Sequence, residues 1–468
     1  MTEFLSFSPK TGDCDFDRID RLQSRMNSRS PSLCPERAEI ATRVYAQTQG
    51  EPIVLRRAKA FSAVLNEMTI YLETDSLIIG NQARSNFAAP VFPEYSFNWV
   101  IRELDELEHR SGDYFNVSDD TKARLRVLQE FWLEKTHQDE VARNLPDAVR
   151  EAVKQNVLHC GGISMSGDGH IIPNHDFVLS AGYGGIARNA RERLDTPDLA
   201  QDQKDFYQAV IIANEAALCF IKRYSKLASE EAKSEPNEKR RRELLALSEM
   251  LAGFMESGAR SFHEAVQAIY MTHLLMMIES NGHSFSFGRF DQYVYPFYKS
   301  DIESGAISEE KALEIITHFF IMTNSLNKVR PWNHTQYSCG YPLYSNLMVG
   351  GMKPDGTDGT NEISYLCLEA MNMSRLPEPN LSVRFWEKTP RRLLVDSARL
   401  IRKGFGMPSM FCDEVVIPAM MTLDIDIETA RDYASIGCVE TGIPGKWGHR
   451  ATGMTYINFG KVDRKSVV

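Results

Sequence analysis

From about residue 36 onward, apolar residues recur at helical spacing over most of the chain. The stretch SFHEAVQAIYMTHLLMMIES (261–280) places Glu264 three residues after Ser261, a capping-box spacing, and predicts a long helix with an apolar face. SEEKALEIITHFFIMTNSL opens in the same way at Ser308. In TPRRLLVDSARLIRKGFG, Thr389 reads as the cap, Pro390 as the first helical residue and Gly404 as the glycine past the end. Residues 201–257 read as two long helices joined by a polar turn at SEPNEKR. Between the helices lie short β-rich runs beside glycine or proline: SLIIGNQ (76–82), LMVGG (347–351), PNLSVRFW (379–386) and SMFCDEVVIP (409–418). Helices alternating with short buried strands predict an α/β architecture with parallel strands. Residues 1–35 carry no clear period and are expected to be a loose segment, with one large unit following and no repeat or linker inside it.

Composition narrows the class. The chain has 468 residues and a net charge of −10, which gives no basic footprint for nucleic acid. No run of about 18 apolar residues predicts a membrane span, and the N-terminus lacks a signal-peptide pattern. Eight scattered cysteines without a CxxC argue for reduced thiols in a cytoplasmic protein, and against zinc, iron–sulfur or disulfide frameworks. No metal is expected.

Three segments carry candidate chemistry. In ASIGCVETGIPGKWG (434–448), Cys438 stands two residues before Glu440 among glycines. If this segment is extended, both side chains share a face and could combine one-hydrogen chemistry at sulfur with proton transfer at oxygen. The plain alternative is a packing cysteine. IESNGHSFSFGRFDQYVYPFY (278–298) concentrates Asn281, His283, Ser284, Ser286, Arg289, Asp291 and Gln292 at the exit of an apolar helix. That suits a small-molecule pocket, or else a satisfied helix end with a structural Arg289–Asp291 pair. HCGGISMSGDGH (159–170) is a glycine-rich loop ending in His170, without the spacing of a phosphate loop. Cys412 reads as packing. A hydrolase pairing Cys438 with His449 matches no nucleophile-elbow or papain-type pattern.

Together, GCVETG (437–442), ESNGHSFSFGRFDQYVYPFY (279–298), LPEPNLSVR (376–384), GFGMPSMFCDEVVIP (404–418) and ARDYASIGCVE (430–440) resemble the glycyl radical enzyme superfamily, the pyruvate formate-lyase-like proteins. RRAKAF (56–61) and DSLIIGNQ (75–82) add to the match. The resemblance implies a ten-stranded α/β barrel of two five-stranded halves, of which this chain holds the helix-rich N-terminal part with about half of the barrel. It implies a thiyl radical on Cys438, Glu440 as general base, and His170, His283 and Ser284 as ligands of substrate hydroxyls. The radical would come from a glycyl radical installed by a radical-SAM activating enzyme. The family's glycyl loop, R-V-x-G-[YFW], is not found in these residues, so 36–468 reads as a truncated domain whose glycine radical part is missing. A second chain could supply it, and a homodimer is expected when complete. Gly437 and Val439 flank a single thiol, which points to the dehydratase/lyase branch that includes glycerol dehydratase and the probable dehydratases. A formate acetyltransferase-like acyltransferase, or a non-catalytic fragment, are the alternatives. The acid that diol dehydratases carry after the cysteine loop is not evident, because GKWGHRATG offers His449 and Arg450 there.

Overall fold

The computed structural model describes residues 5, 15–160, 166, 167, 169–448 and 455–466. Its centre is a pair of helices, Phe262–Glu279 and Glu309–Thr323, buried on nearly every face. Ser261 caps the first by accepting from the Glu264 N–H, and Ser308 caps the second by accepting from the Lys311 N–H. The Glu264 carboxylate does not return to its cap, as a full capping box would require. It accepts from the Arg260 N–H at 2.7 Å and also binds that residue's guanidinium. The two long helices between 201 and 257 are Gln201–Ser234 and Glu238–Ala252.

Beside the helices lies a parallel sheet of β1 (Asn346–Gly350), β2 (Asn380–Phe385) and β3 (Ser409–Cys412), with β2 in the middle. Asn346 pairs with Asn380, and Ser382 pairs with Ser409. Single parallel bridges extend this ladder on the far side of β1: Gly288 bridges to Leu347, and Phe285 bridges to Ile171. Five neighbouring segments therefore run side by side, and among the described residues they do not close into a barrel.

Several expectations change. Residues 76–82 form no strand, because helix side chains take the partners a strand would offer. Leu77 N–H donates to His318 Nδ1 at 3.0 Å, and Ile79 exchanges two bonds with the Gln267 amide, both 2.8 Å. The run 409–418 stops being a strand at Cys412. Asp413 opens the helix Asp413–Met421, with its carboxylate held by Arg384 at 2.8 and 2.9 Å and by the Met352 N–H at 2.6 Å. The helix expected from Pro390 spans Arg391–Ile401, with Pro390 as its cap, because Thr389 Oγ1 is taken by the Trp386 N–H.

The segment expected to be loose is ordered wherever it is described. The helix Phe16–Asn27 is capped by Asp15 and buries Ile19, Leu22 and Met26 at i, i+3 and i+7. Its Arg18 pairs with Glu243 and, at 3.4 Å, with Glu314, so polar contacts fix it as well as apolar ones. Strand Ser32–Cys34 follows and pairs in parallel with Ala88–Pro90. No helix among the described residues is long and apolar enough to cross a membrane.

Candidate active site

The candidate thiol sits on a hairpin rather than on an extended run. Strand β4 (Ala434–Ile436) turns through Gly437, Cys438 and Val439 into the antiparallel β5 (Glu440–Gly442), with Ile436 opposite Glu440. Thiol and acid are therefore not on one strand face: Cys438 is in the turn and Glu440 begins the return strand. Gly437 makes this turn possible with φ +60°. A Cβ there would lie 2.8 Å from Glu440 Oε2, 3.1 Å from Ser284 Oγ and 3.2 Å from His170 Cδ2. Three of the side chains expected to act with Cys438 thus converge on the one residue before it.

The hairpin is tied to the sheet at its base. Asn346, the first residue of β1, donates from Nδ2 to the Gly437 carbonyl and accepts from Ser435 Oγ at 3.2 Å. One residue before β4, Tyr433 donates from its hydroxyl to Asp413 at 2.9 Å, and its carbonyl accepts from Arg384 at 3.0 Å. The loops bearing His170 and Ser284 are stitched to each other and to this frame. His170 N–H donates to the His283 carbonyl at 3.0 Å, and Ser284 N–H donates to the Leu343 carbonyl at 2.8 Å. Both residues are left-handed, with φ +53° and +65°, a conformation that a non-glycine residue holds only when its surroundings impose it.

Glu440 Oε2 accepts from the Val439 N–H at 3.1 Å, and Oε1 lies 3.7 Å from His170 Nε2. Both side chains are nearly buried, whereas Cys438 is exposed and Val439, at 71%, projects outward. Partial burial, and then the Glu440 charge, push the Cys438 thiol above its usual range, so it is a neutral S–H at pH 7 rather than a thiolate nucleophile. Ser284 Oγ is buried with no partner among the described residues, an open donor and acceptor beside the hairpin. His283 lies one step further out, its ring 5.0 Å from that of His170 and 6.0 Å from that of Tyr344. Burial, followed by the charge of Arg330, pushes it well below the usual imidazole range and keeps it neutral.

Two other residues proposed from the sequence, Arg289 and Asp291, are structural. Arg289 and Asp291 do not pair with each other. Arg289 reaches Asp432 at 3.1 Å, and Asp291 accepts from the Gly350 N–H at 2.7 Å and Ser364 Oγ at 2.6 Å, clamping the end of β1. Three residues that the sequence reading passed over shape the site: Asn346, Tyr344 and Glu378. The buried Glu378 carboxylate accepts from the N–H groups of Leu343, Tyr344 and Ser345 at 2.8–3.0 Å, which fixes the loop carrying Tyr344. The only signal for it was an acid between two prolines, in LPEPN. His449 and Arg450 lie outside the described residues. No cluster of metal-ligating side chains occurs among the described residues.

A thiol on an exposed glycine turn, with an acid, a histidine and a free hydroxyl gathered behind it, mounted against a parallel half-sheet, defines a class. The family model for pyruvate formate lyase-like proteins matches residues 9–462, and the chain belongs to that family. It is 38% identical over 455 residues to the probable dehydratase YbiW of Escherichia coli K12, covering 95% of this chain and 56% of that protein. It is 32% identical to (2S)-3-sulfopropanediol dehydratase of Klebsiella oxytoca, covering 92% of this chain and 53% of that one. Among solved structures, the glycerol-bound B12-independent glycerol dehydratase of Clostridium butyricum superposes with a TM-score of 0.90 at 38% identity, covering 94% of this chain and 56% of that one. The chain spans about half the length of the relatives it matches.

Proposed function

We propose that this chain carries the hydrogen-abstracting half of a glycyl radical dehydratase or C–X lyase acting on a small hydroxylated substrate. The observation that carries the proposal is the convergence of Glu440, Ser284 and His170 on Gly437, directly beside the Cys438 thiol. Two of the relatives named dehydratases are named for (2S)-3-sulfopropanediol and glycerol, both small hydroxylated molecules.

Cys438 and Val439 are exposed at the turn, so the sulfur can be reached from outside the chain, which fits an external oxidant. A glycyl radical, installed by a radical-SAM activating enzyme on a further segment, would supply the one-hydrogen oxidation of the Cys438 thiol. The chain's own residues do the rest. Cys438 sulfur takes a hydrogen atom from a substrate carbon bearing a hydroxyl. Glu440 accepts the hydroxyl proton through Oε1, which His170 faces, and the neighbouring leaving group departs with its bonding electrons. Ser284 Oγ and His170 hold substrate oxygens in register, and the Cys438 S–H returns its hydrogen to the product carbon. A neutral thiol suits this chemistry, because the atom moved is hydrogen and not a proton.

The flank of β3 supports a further covering segment. Met410 on its edge, with Val415, Leu423 and Ile427 beyond it, is exposed at 38–67%. That segment could belong to a second polypeptide, and the complete enzyme is proposed to be a homodimer in the cytoplasm.

The test is anaerobic turnover of the activated, completed enzyme on substrate deuterated at the hydroxyl-bearing carbon. Transfer of that deuterium through Cys438 to the adjacent product carbon is expected, with activity lost in Cys438→Ala and Glu440→Gln. Turnover retained in Cys438→Ala would end this reading.

A further inference from the structure

Next to the hairpin, the connection into β1 lines a small open cleft with Lys328, Arg330, His334 and Tyr344, and His283 lines it as well. His283 joins the cleft to the candidate site through its 5.0 Å ring contact with His170, and its ring lies 6.0 Å from that of Tyr344. Most polar groups here are committed. Lys328 Nζ donates to the Met277 carbonyl at 2.8 Å and to that of Ser280. Asp113, the acid lining the cleft, accepts from the N–H groups of Gly340 at 2.6 Å and Tyr341 at 3.1 Å. Arg330 is not. Its Nη1 and Nη2 are both buried, and neither has a hydrogen-bond partner among the described residues.

A buried guanidinium without a counter-charge is costly, and the fold gains nothing from it that a methionine would not give. Its planar fork matches two oxygens of one anionic group. We propose that Arg330 is the docking point for an oxyanion on the substrate, a carboxylate, sulfonate or phosphate monoester, making the substrate a short hydroxylated acid and not a neutral polyol. The anionic end sits in the cleft, and the hydroxyl-bearing carbon reaches past His283 toward His170, Glu440 and Cys438. This rests on the dehydratase reading above and names the substrate class of the same site. The local field agrees. Burial draws Arg330 down to about 9, and after burial Arg330 is the largest of the charges depressing His283, His334 and Lys328, strain that an anion would relieve.

The test needs no radical. Calorimetric titration and thermal shift of the full chain would use 3-hydroxypropionate, 2-hydroxyethanesulfonate and glycerol 2-phosphate, with 1,3-propanediol as the neutral control. At least one anion is expected to bind and raise the melting temperature, and Arg330→Met should weaken it roughly tenfold or more. Arg330→Lys, which keeps the charge and loses the fork, should fall between the two, and serves alone if Arg330→Met does not fold. Equal anion binding in Arg330→Met and wild type overturns the proposal, as does the absence of any anion binding. If the diol binds and no anion does, the oxyanion site is refuted while the dehydratase reading stands, since that reading fails only on Cys438 and Glu440.

Discussion

Gly437→Ala isolates what holds the candidate site together. The substitution has two effects that can be separated. At φ +60° any L side chain meets the left-handed penalty, about 1–2 kcal/mol. The new Cβ would also stand 2.8 Å from Glu440 Oε2, and ordinary contact begins at 3.4 Å, so the carboxylate must retreat by about 0.6 Å. Ser284 Oγ at 3.1 Å and His170 Cδ2 at 3.2 Å must each give a few tenths of an ångström. The Glu440 oxygen is the end of a flexible side chain, so the retreat adds little to the stability cost. It should cost far more in function, because a misplacement of about 1 Å in a reacting constellation is worth on the order of 100-fold. Gly404→Ala is the control: its φ is +90°, and a Cβ there meets nothing within 4 Å, so it carries strain without crowding. Both variants are expected to lower the melting temperature by a similar few degrees, about 1–3 °C. Only Gly437→Ala should change the rate at which Cys438 is alkylated, followed peptide by peptide in mass spectrometry, and cut turnover of the activated enzyme. If the two variants behave alike in both assays, the four residues are not packed as described.

Asp413→Ala should destabilise the chain by about 3–5 kcal/mol in chemical denaturation, because it leaves the wholly buried Arg384 without its bidentate partner and frees the Tyr433 anchor of the hairpin. Restoring an apolar pair with Arg384→Met and Asp413→Leu together should recover much of that loss, and a mild effect of Asp413→Ala alone would show that the pair does not hold the sheet. Glu378 gives a pH signature. Three N–H donors favour its charged form, but burial outweighs them and raises it from 4.5 to about 7. The folded state therefore holds a proton that the unfolded state releases, and stability should fall by about 3 kcal/mol as pH rises from 4.5 through 7. Glu378→Gln should flatten that part of the profile, and an unchanged slope in the variant would refute the assignment.

How much of this was legible in the sequence depended on whether the physics was local. Caps at Ser261 and Ser308, the two long helices after 201, and strands β1 and β2 follow from spacing and propensity within a few residues, and the structure has them. Residues 76–82 have the composition of a strand, yet their N–H groups are taken by Gln267, His318 and Tyr224, more than a hundred residues away, which no local pattern could reveal. Asp413 ended β3 for the same reason: its partner Arg384 lies on the neighbouring strand. The candidate site divides along the same line. Cys438 and Glu440 were visible as a pair, but the i, i+2 spacing argued for a shared strand face, and only the positive φ at Gly437 turns the segment into a hairpin. Glycine before the cysteine was the available clue, since a turn of three residues needs one position free of a Cβ. Glu378 and Asn346 act through backbone groups of distant loops, and such roles leave no residue pattern of their own. Arg330 was hidden differently. An arginine in a polar stretch normally reads as a solvated charge, and what sets this one apart is the absence of a partner at both buried nitrogens. A missing interaction is a property of the assembled cleft, so it can be found only after every neighbour has been placed.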